Sequence, residues 1–209
     1  MYRDNYLKKQ LKDKYGDEQV FVVPFGLVKN IPDRFTKETK GPKELEKMLN
    51  SICSRGQFIF RYDAEYNSVF QQLIPYVVIS NLSGTRYYVS ERISGDARLV
   101  SKHSLGFGGH INPIDNGHEN LIMAALKREL CEELFYEKMS EPEFLGYVRD
   151  LHSETRDHLG FVFQVKAKKV RIKETDVLKG KWMTLEELED RYFHFESWSR
   201  YIIGYLLYG

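Results

Sequence analysis

The run Arg128-Glu129-Leu130-Cys131-Glu132-Glu133 limits, more than any other feature, what this chain can fold into. At about 100° per residue, Glu129, Glu132 and Glu133 fall on one helical face at i, i+3 and i+4. Like charges stacked in this way repel, so the helix is a poor one in isolation. The same arc carries Leu121, Ile122, Ala125 and Leu126 one to two turns earlier, which turns it toward the protein interior. Were this an ordinary amphipathic helix with a charged solvent face, the helical wheel would put that face at Lys127, Arg128 and Cys131, not at the three glutamates. Buried like charges are costly unless something positive sits among them. A hard divalent cation held by oxygen ligands, Mg²⁺ or Mn²⁺, is the simplest compensator. Spacing alone therefore marks Glu129, Glu132 and Glu133 as candidate metal ligands.

The stretch around this run, GGHINPIDNGHENLIMAALKRELCEELFY from Gly108 to Tyr136, resembles the signature box of the Nudix hydrolases. That pattern reads Gly, five residues, Glu, seven residues, Arg-Glu-apolar-x-Glu-Glu-x-Gly-apolar. Its second half matches at Arg128, Glu129, Leu130, Glu132 and Glu133, with Tyr136 in the last apolar place. The first half departs from it. The position eight before Arg128 is Asn120, and the nearest acid is Glu119, with nine residues rather than five after Gly109. Pro113-Ile114-Asp115-Asn116 then reads as an insertion between the Gly-Gly turn and the helix, and Phe135 stands where the box has glycine.

The resemblance implies an α/β/α sandwich with a mixed sheet. It implies a divalent-metal-dependent hydrolase that cleaves a diphosphate bond in a nucleoside diphosphate-linked or related small molecule. By the same resemblance, the Gly109 carbonyl joins Glu129, Glu132 and Glu133 around Mg²⁺ or Mn²⁺. Arg128 would orient the carboxylates, with Glu119 as its partner. Neutralising developing phosphoryl charge and activating a water in line is the chemistry such a set supports. The general base is sought on the acidic loop Asp150–His158, with Glu154 first and Asp157 and His158 behind it. His110, Glu119 and His158 are candidate substrate contacts, and His118 flanks the same turn.

Other function classes are weighed on the same residues. A non-catalytic nucleotide sensor or scaffold is the main alternative, motivated by the altered first half of the box and by Phe135. An isoprenyl diphosphate isomerase of this fold would need a catalytic cysteine, and neither Cys53 nor Cys131 is placed for one. The formal net charge is +1, which argues against a nucleic-acid or anionic-membrane partner and against RNA decapping. The two cysteines suit no disulfide framework, and no apolar run approaches about 18 residues, so a cytoplasmic setting is expected. A small-molecule nucleotide is the expected partner, and a homodimer is left open.

Along the chain, residues 2–15 read as a surface helix, Gln19–Val28 as a strand interrupted by Pro24, and Lys43–Cys53 as a helix. Gln57–Tyr62 reads as a further strand. The apolar run Leu73–Ser80 has the look of a strand buried on both faces, returning through Arg86–Ile93 as a hairpin. Composition shifts there, so residues 1–70 are read as an α+β extension and 71–209 as the hydrolase-like domain. The box helix is expected over about Glu119–Tyr136, with strands at Phe144–Asp150, Gly160–Ala167 and Val170–Ile172. Thr184-Leu185-Glu186-Glu187 is a capping box, and Glu196–Leu207 reads as a last helix with an aromatic stripe. Tyr76, Tyr87 and Tyr88 are candidates either for base stacking or for core.

Overall fold

The computed structural model describes residues 2–94, 102–117 and 120–209. In chain order the elements are α1 (Tyr2–Tyr15), β1 (Gln19–Pro24), α2 (Phe25–Val28), β2 (Phe35–Lys37), α3 (Pro42–Cys53), β3 (Gln57–Phe60), α4 (Arg61–Ala64), β4 (Phe70–Asn81) and β5 (Tyr87–Arg92). They continue with β6 (His103–Ser104), β7 (Gly106–Gly108), α5 (Leu121–Glu133), β8 (Leu134–Met139), β9 (Glu143–Val148), β10 (His158–Ile172), β11 (Leu178–Met183), α6 (Leu185–Asp190) and α7 (Ser197–Tyr208).

One mixed sheet runs β11-β5-β4-β10-β9-β2. Its centre is β4, parallel to β10 from His158 beside Gln72 to Ala167 beside Asn81. Strand alternation divides β4 cleanly between two layers. Leu73, Val77 and Ile79 pack with Ile122, Ala125, Leu126 and Leu130 of α5, while Ile74, Tyr76 and Val78 pack with Trp198, Ile202 and Ile203 of α7. Helices on both faces explain why β4 is an unbroken apolar run rather than an alternating one. The fold is the α/β/α sandwich with a mixed sheet.

Residues 1–70 are stitched into this sheet. β1 pairs with β4 from Val22 beside Gln72 to Pro24 beside Phe70, β3 pairs with β1, and β2 pairs with β9. Pro24 ends β1 at a position where the chain turns directly into α2, so the strand expected to reach Val28 is shorter. The hairpin between β4 and β5 is tight only at Ser80 beside Tyr87, and β5 then runs along β11. Tyr76, Tyr87 and Tyr88 are all buried, so they belong to the core.

Three further expectations are corrected. The box helix starts at Leu121, capped by Asn120 Oδ1 accepting from Met123 N, and it ends at Glu133 rather than at Tyr136. Leu134 is extended at once (φ −129°, ψ 144°), and β8 pairs antiparallel with the end of β10. No left-handed residue is needed at this exit, which is why Phe135 can replace the box glycine. Lastly, the two short strands expected within Gly160–Ile172 are one continuous strand, because β8 and β9 pair with successive halves of it. The capping box at Thr184 forms with both of its hydrogen bonds.

Candidate active site

Arg128 is the hub of the site. Its Nε and Nη2 donate to the two oxygens of Asp115 at 2.9 and 3.0 Å. Nη1 donates to Glu129 at 2.8 Å and to Glu132 at 2.9 Å, and Nη2 also reaches the His110 carbonyl at 2.9 Å. A planar guanidinium offers its donors in a fixed fork, so one side chain sets the relative positions of three carboxylates and the Gly-Gly turn. The bonds to Asp115, above all, hold it firmly charged. The helical-wheel expectation that Arg128 faces solvent is therefore wrong. Its side chain is 18% exposed, whereas that of Glu132 is 58% exposed.

Asp115 is the partner of Arg128 that the sequence reading missed. It is buried, sits on a 3₁₀ turn over Pro113–Asp115, and accepts from Asn112 N at 2.9 Å. It takes the role assigned to Glu119 as the partner of Arg128; Glu119 and His118 lie outside the described residues. The signal was present in the sequence. Gly109, five residues, Asp115 is the spacing of the first half of the box, with Asp for Glu. The extra residues follow the acid, twelve rather than seven before Arg128, instead of preceding it.

Gly109 abuts Glu129. A Cβ built at Gly109 would lie 2.5 to 2.6 Å from the Glu129 carboxylate, so a side chain there would displace that group. Burial pushes the Glu129 carboxyl up despite the guanidinium beside it. Burial, together with the neighbouring Glu129 and Glu174, pushes Glu133 up to about 7. Two acids crowded in this way favour a cation at the same place.

Glu133 opens into a cleft of about 470 Å³, lined also by Gly109, His110, Thr155, His158, Arg61 and Arg92. Arg61 comes from α4, in the N-terminal extension, and Arg92 from the end of β5. Neither carried a sequence signal. His110 and His158 meet across the cleft, Nε2 to Nε2, at 3.2 Å. His158 Nδ1 lies 2.9 Å from the Asp157 carboxylate, which holds that acid below its ordinary range despite burial. Burial, then Arg61 and His158, holds His110 well below the usual imidazole range, so it is neutral. Glu154 is exposed on the loop between β9 and β10, next to the cleft-lining Thr155.

Fold and site together describe a Gly-Gly turn, a carboxylate-bearing helix and an arginine that joins them, set on a mixed α/β/α sheet. No family model matches the chain. It is 35% identical over 207 residues to Protein YmaB of Bacillus subtilis (strain 168), covering 91% of this chain and 98% of that protein. Among solved structures it superposes on Tm1382, a candidate Nudix hydrolase, with a TM-score of 0.76 and 31% identity over 91% of this chain and 98% of that one. The chain belongs to the Nudix hydrolase superfamily.

Proposed function

We propose that this protein is a divalent-metal-dependent pyrophosphohydrolase acting on a nucleoside diphosphate-linked or related small molecule. The observation that carries the reading is the Arg128 fork, which gathers Asp115, Glu129 and Glu132 against the Gly109 turn at the mouth of a cleft. The donors are hard oxygens, and the raised Glu129 and Glu133 carboxyls fit a hard cation, Mg²⁺ or Mn²⁺. Glu129, Glu132, Glu133 and the Gly109 carbonyl would hold it. When bound, such an ion neutralises phosphoryl charge and lowers the pKa of a bound water.

The chain's own groups supply the rest. Arg128 positions the carboxylates and is not itself aimed at substrate. Arg61 and Arg92 face the cleft, where they would contact phosphate oxygens. A general base is assigned to the loop between β9 and β10, with Glu154 the first candidate. The chemistry is assigned to residues 71–209, with residues 1–70 as an extension that completes the cleft through Arg61. With Asp115 in the place of the early acid, the altered box no longer argues for a non-catalytic sensor.

The test is hydrolysis of a panel of nucleoside diphosphate conjugates by metal-stripped protein, with Mg²⁺ or Mn²⁺ restored. Cation-dependent turnover is expected. Glu129→Gln and Glu133→Gln should fold and lose at least about 100-fold in kcat/KM. Full activity in both folded variants would remove the carboxylates from the mechanism.

A further inference from the structure

The two histidines of the cleft have a third neighbour. Glu65, at the end of α4, offers a carboxylate oxygen that lies, with one ring nitrogen each of His110 and His158, in a group whose atoms are all within 4.8 Å of one another. Three separate segments converge here: α4 of the extension, the Gly-Gly turn, and the first residue of β10. Among the described residues this is the one group of three or more such side chains so closely drawn together.

The surroundings are those of a prepared ligand set. His158 Nδ1 donates to Asp157 Oδ1 at 2.9 Å, which leaves Nε2 with its lone pair directed at His110. A carboxylate behind an imidazole fixes its tautomer and orientation, as in histidine ligands of metals. Asp157 is held in turn by Tyr66 N at 2.5 Å and Gln72 Nε2 at 3.3 Å. Tyr66 takes the left-handed conformation (φ 58°), uncommon for a bulky residue, and this turn carries the chain from Glu65 to the Asp157 bond.

Charge points the same way. The network holds three carboxylates, Glu18, Glu65 and Asp157, against one guanidinium, Arg61. Arg61 already donates Nη1 to Glu18 and Nε to Glu65, each at 3.1 Å. In this network carboxylates outnumber the guanidinium.

We propose that Glu65, His110 and His158 form a metal site separate from the glutamate set of α5, selective for a borderline transition dication of the Zn²⁺ type over Mg²⁺. Two imidazoles and one carboxylate are a donor set of that softness, with positions left open on the cleft side. His110 gives up Nε2 to the cation and carries its proton on Nδ1. The site does not rest on the hydrolase reading, because its readout is cation binding without substrate.

The experiment uses full-length, metal-stripped protein in a Glu133→Gln background, with Co²⁺ as probe, followed by visible absorption and calorimetry. One equivalent of Co²⁺ with d–d bands, displaced by Zn²⁺ and not by millimolar Mg²⁺, is expected. His110→Gln and His158→Gln should each weaken Co²⁺ by about 100-fold or more, and Asp157→Asn by about 10-fold, as loss of an orienting partner does. Circular dichroism checks each fold. If a histidine variant unfolds, Glu65→Gln carries the test, with at least about 10-fold weaker Co²⁺ binding expected. Unchanged Co²⁺ affinity in folded His158→Gln or Glu65→Gln, or displacement by Mg²⁺, overturns the site.

Discussion

At the scale of single residues, the site depends on one cation, Arg128, meeting several acids in a fixed geometry. Asp115 holds it from below with two bonds and is itself 3% exposed. Asp115→Asn keeps the shape but removes the charge and one acceptor. It should cost about 10–100-fold in kcat/KM, as loss of an orienting partner usually does, with the fall mainly in cation affinity. Titration of Mn²⁺ by calorimetry checks this, and an unchanged Mn²⁺ affinity would reduce Asp115 to a structural cap. Gly109→Ala makes a complementary prediction. The added methyl would sit 2.5 Å from Glu129 Oε1, so the carboxylate must swing away from the turn. Mn²⁺ affinity should fall while the melting temperature changes little, because the displaced group lies at the cleft rather than in the core.

At the scale of elements, the exit of α5 shows how sequence pattern and tertiary pairing compete. A helix often ends on a left-handed glycine, and a box motif with Phe135 in that place reads as damaged. Here Leu134 goes straight into β8, the Lys173 amide takes the Glu133 carbonyl at 2.8 Å, and the strand pairs with β10. Phe135 is an exposed strand residue with the Lys173 ammonium 4.8 Å above its ring. Phe135→Gly should therefore repair nothing. It should lower stability by about 1 kcal/mol through lost strand propensity and chain entropy, measured by urea unfolding. A gain in stability or in activity would show that the glycine of the box has a role here after all.

At the scale of the whole molecule, His103 joins three elements. It lies in β6, its Nε2 accepts from Lys181 of β11 at 3.0 Å, and its carbonyl accepts from Glu196 N at the start of α7. Burial, and then the Lys181 charge, hold its pKa below the ordinary imidazole value. A proton is thus bound more readily by the unfolded chain. The stability contributed by neutral His103 is complete above about pH 6.5 and is lost as pH falls through the depressed folded value. Thermal melts between pH 7.5 and 5 should show this loss, and His103→Gln should flatten the profile. An unaltered profile in that variant would assign the acid lability to other groups. No helix among the described residues is long and apolar enough to cross a membrane.

The sequence by itself determined the carboxylate helix and the Gly-Gly turn, through i, i+3, i+4 acids on an apolar arc and paired glycines before it. The layered α/β plan came from the resemblance of this stretch to the Nudix signature, and the apolar run in β4 agreed with a strand covered on both faces. The sequence also contained Gly109, five residues, Asp115, legible once aspartate is admitted for glutamate. Only the tertiary structure decided which way Arg128 turned, since a helical wheel ranks faces by composition and cannot see a buried acid thirteen residues away. The same holds for Arg61, which lines the cleft, and Glu65, which lies beside its two histidines; both are far from the box in sequence and are brought there because β1 pairs with β4 and α4 lies alongside. Long-range strand pairing leaves no mark in local periodicity, so the cleft wall had to be read from the fold.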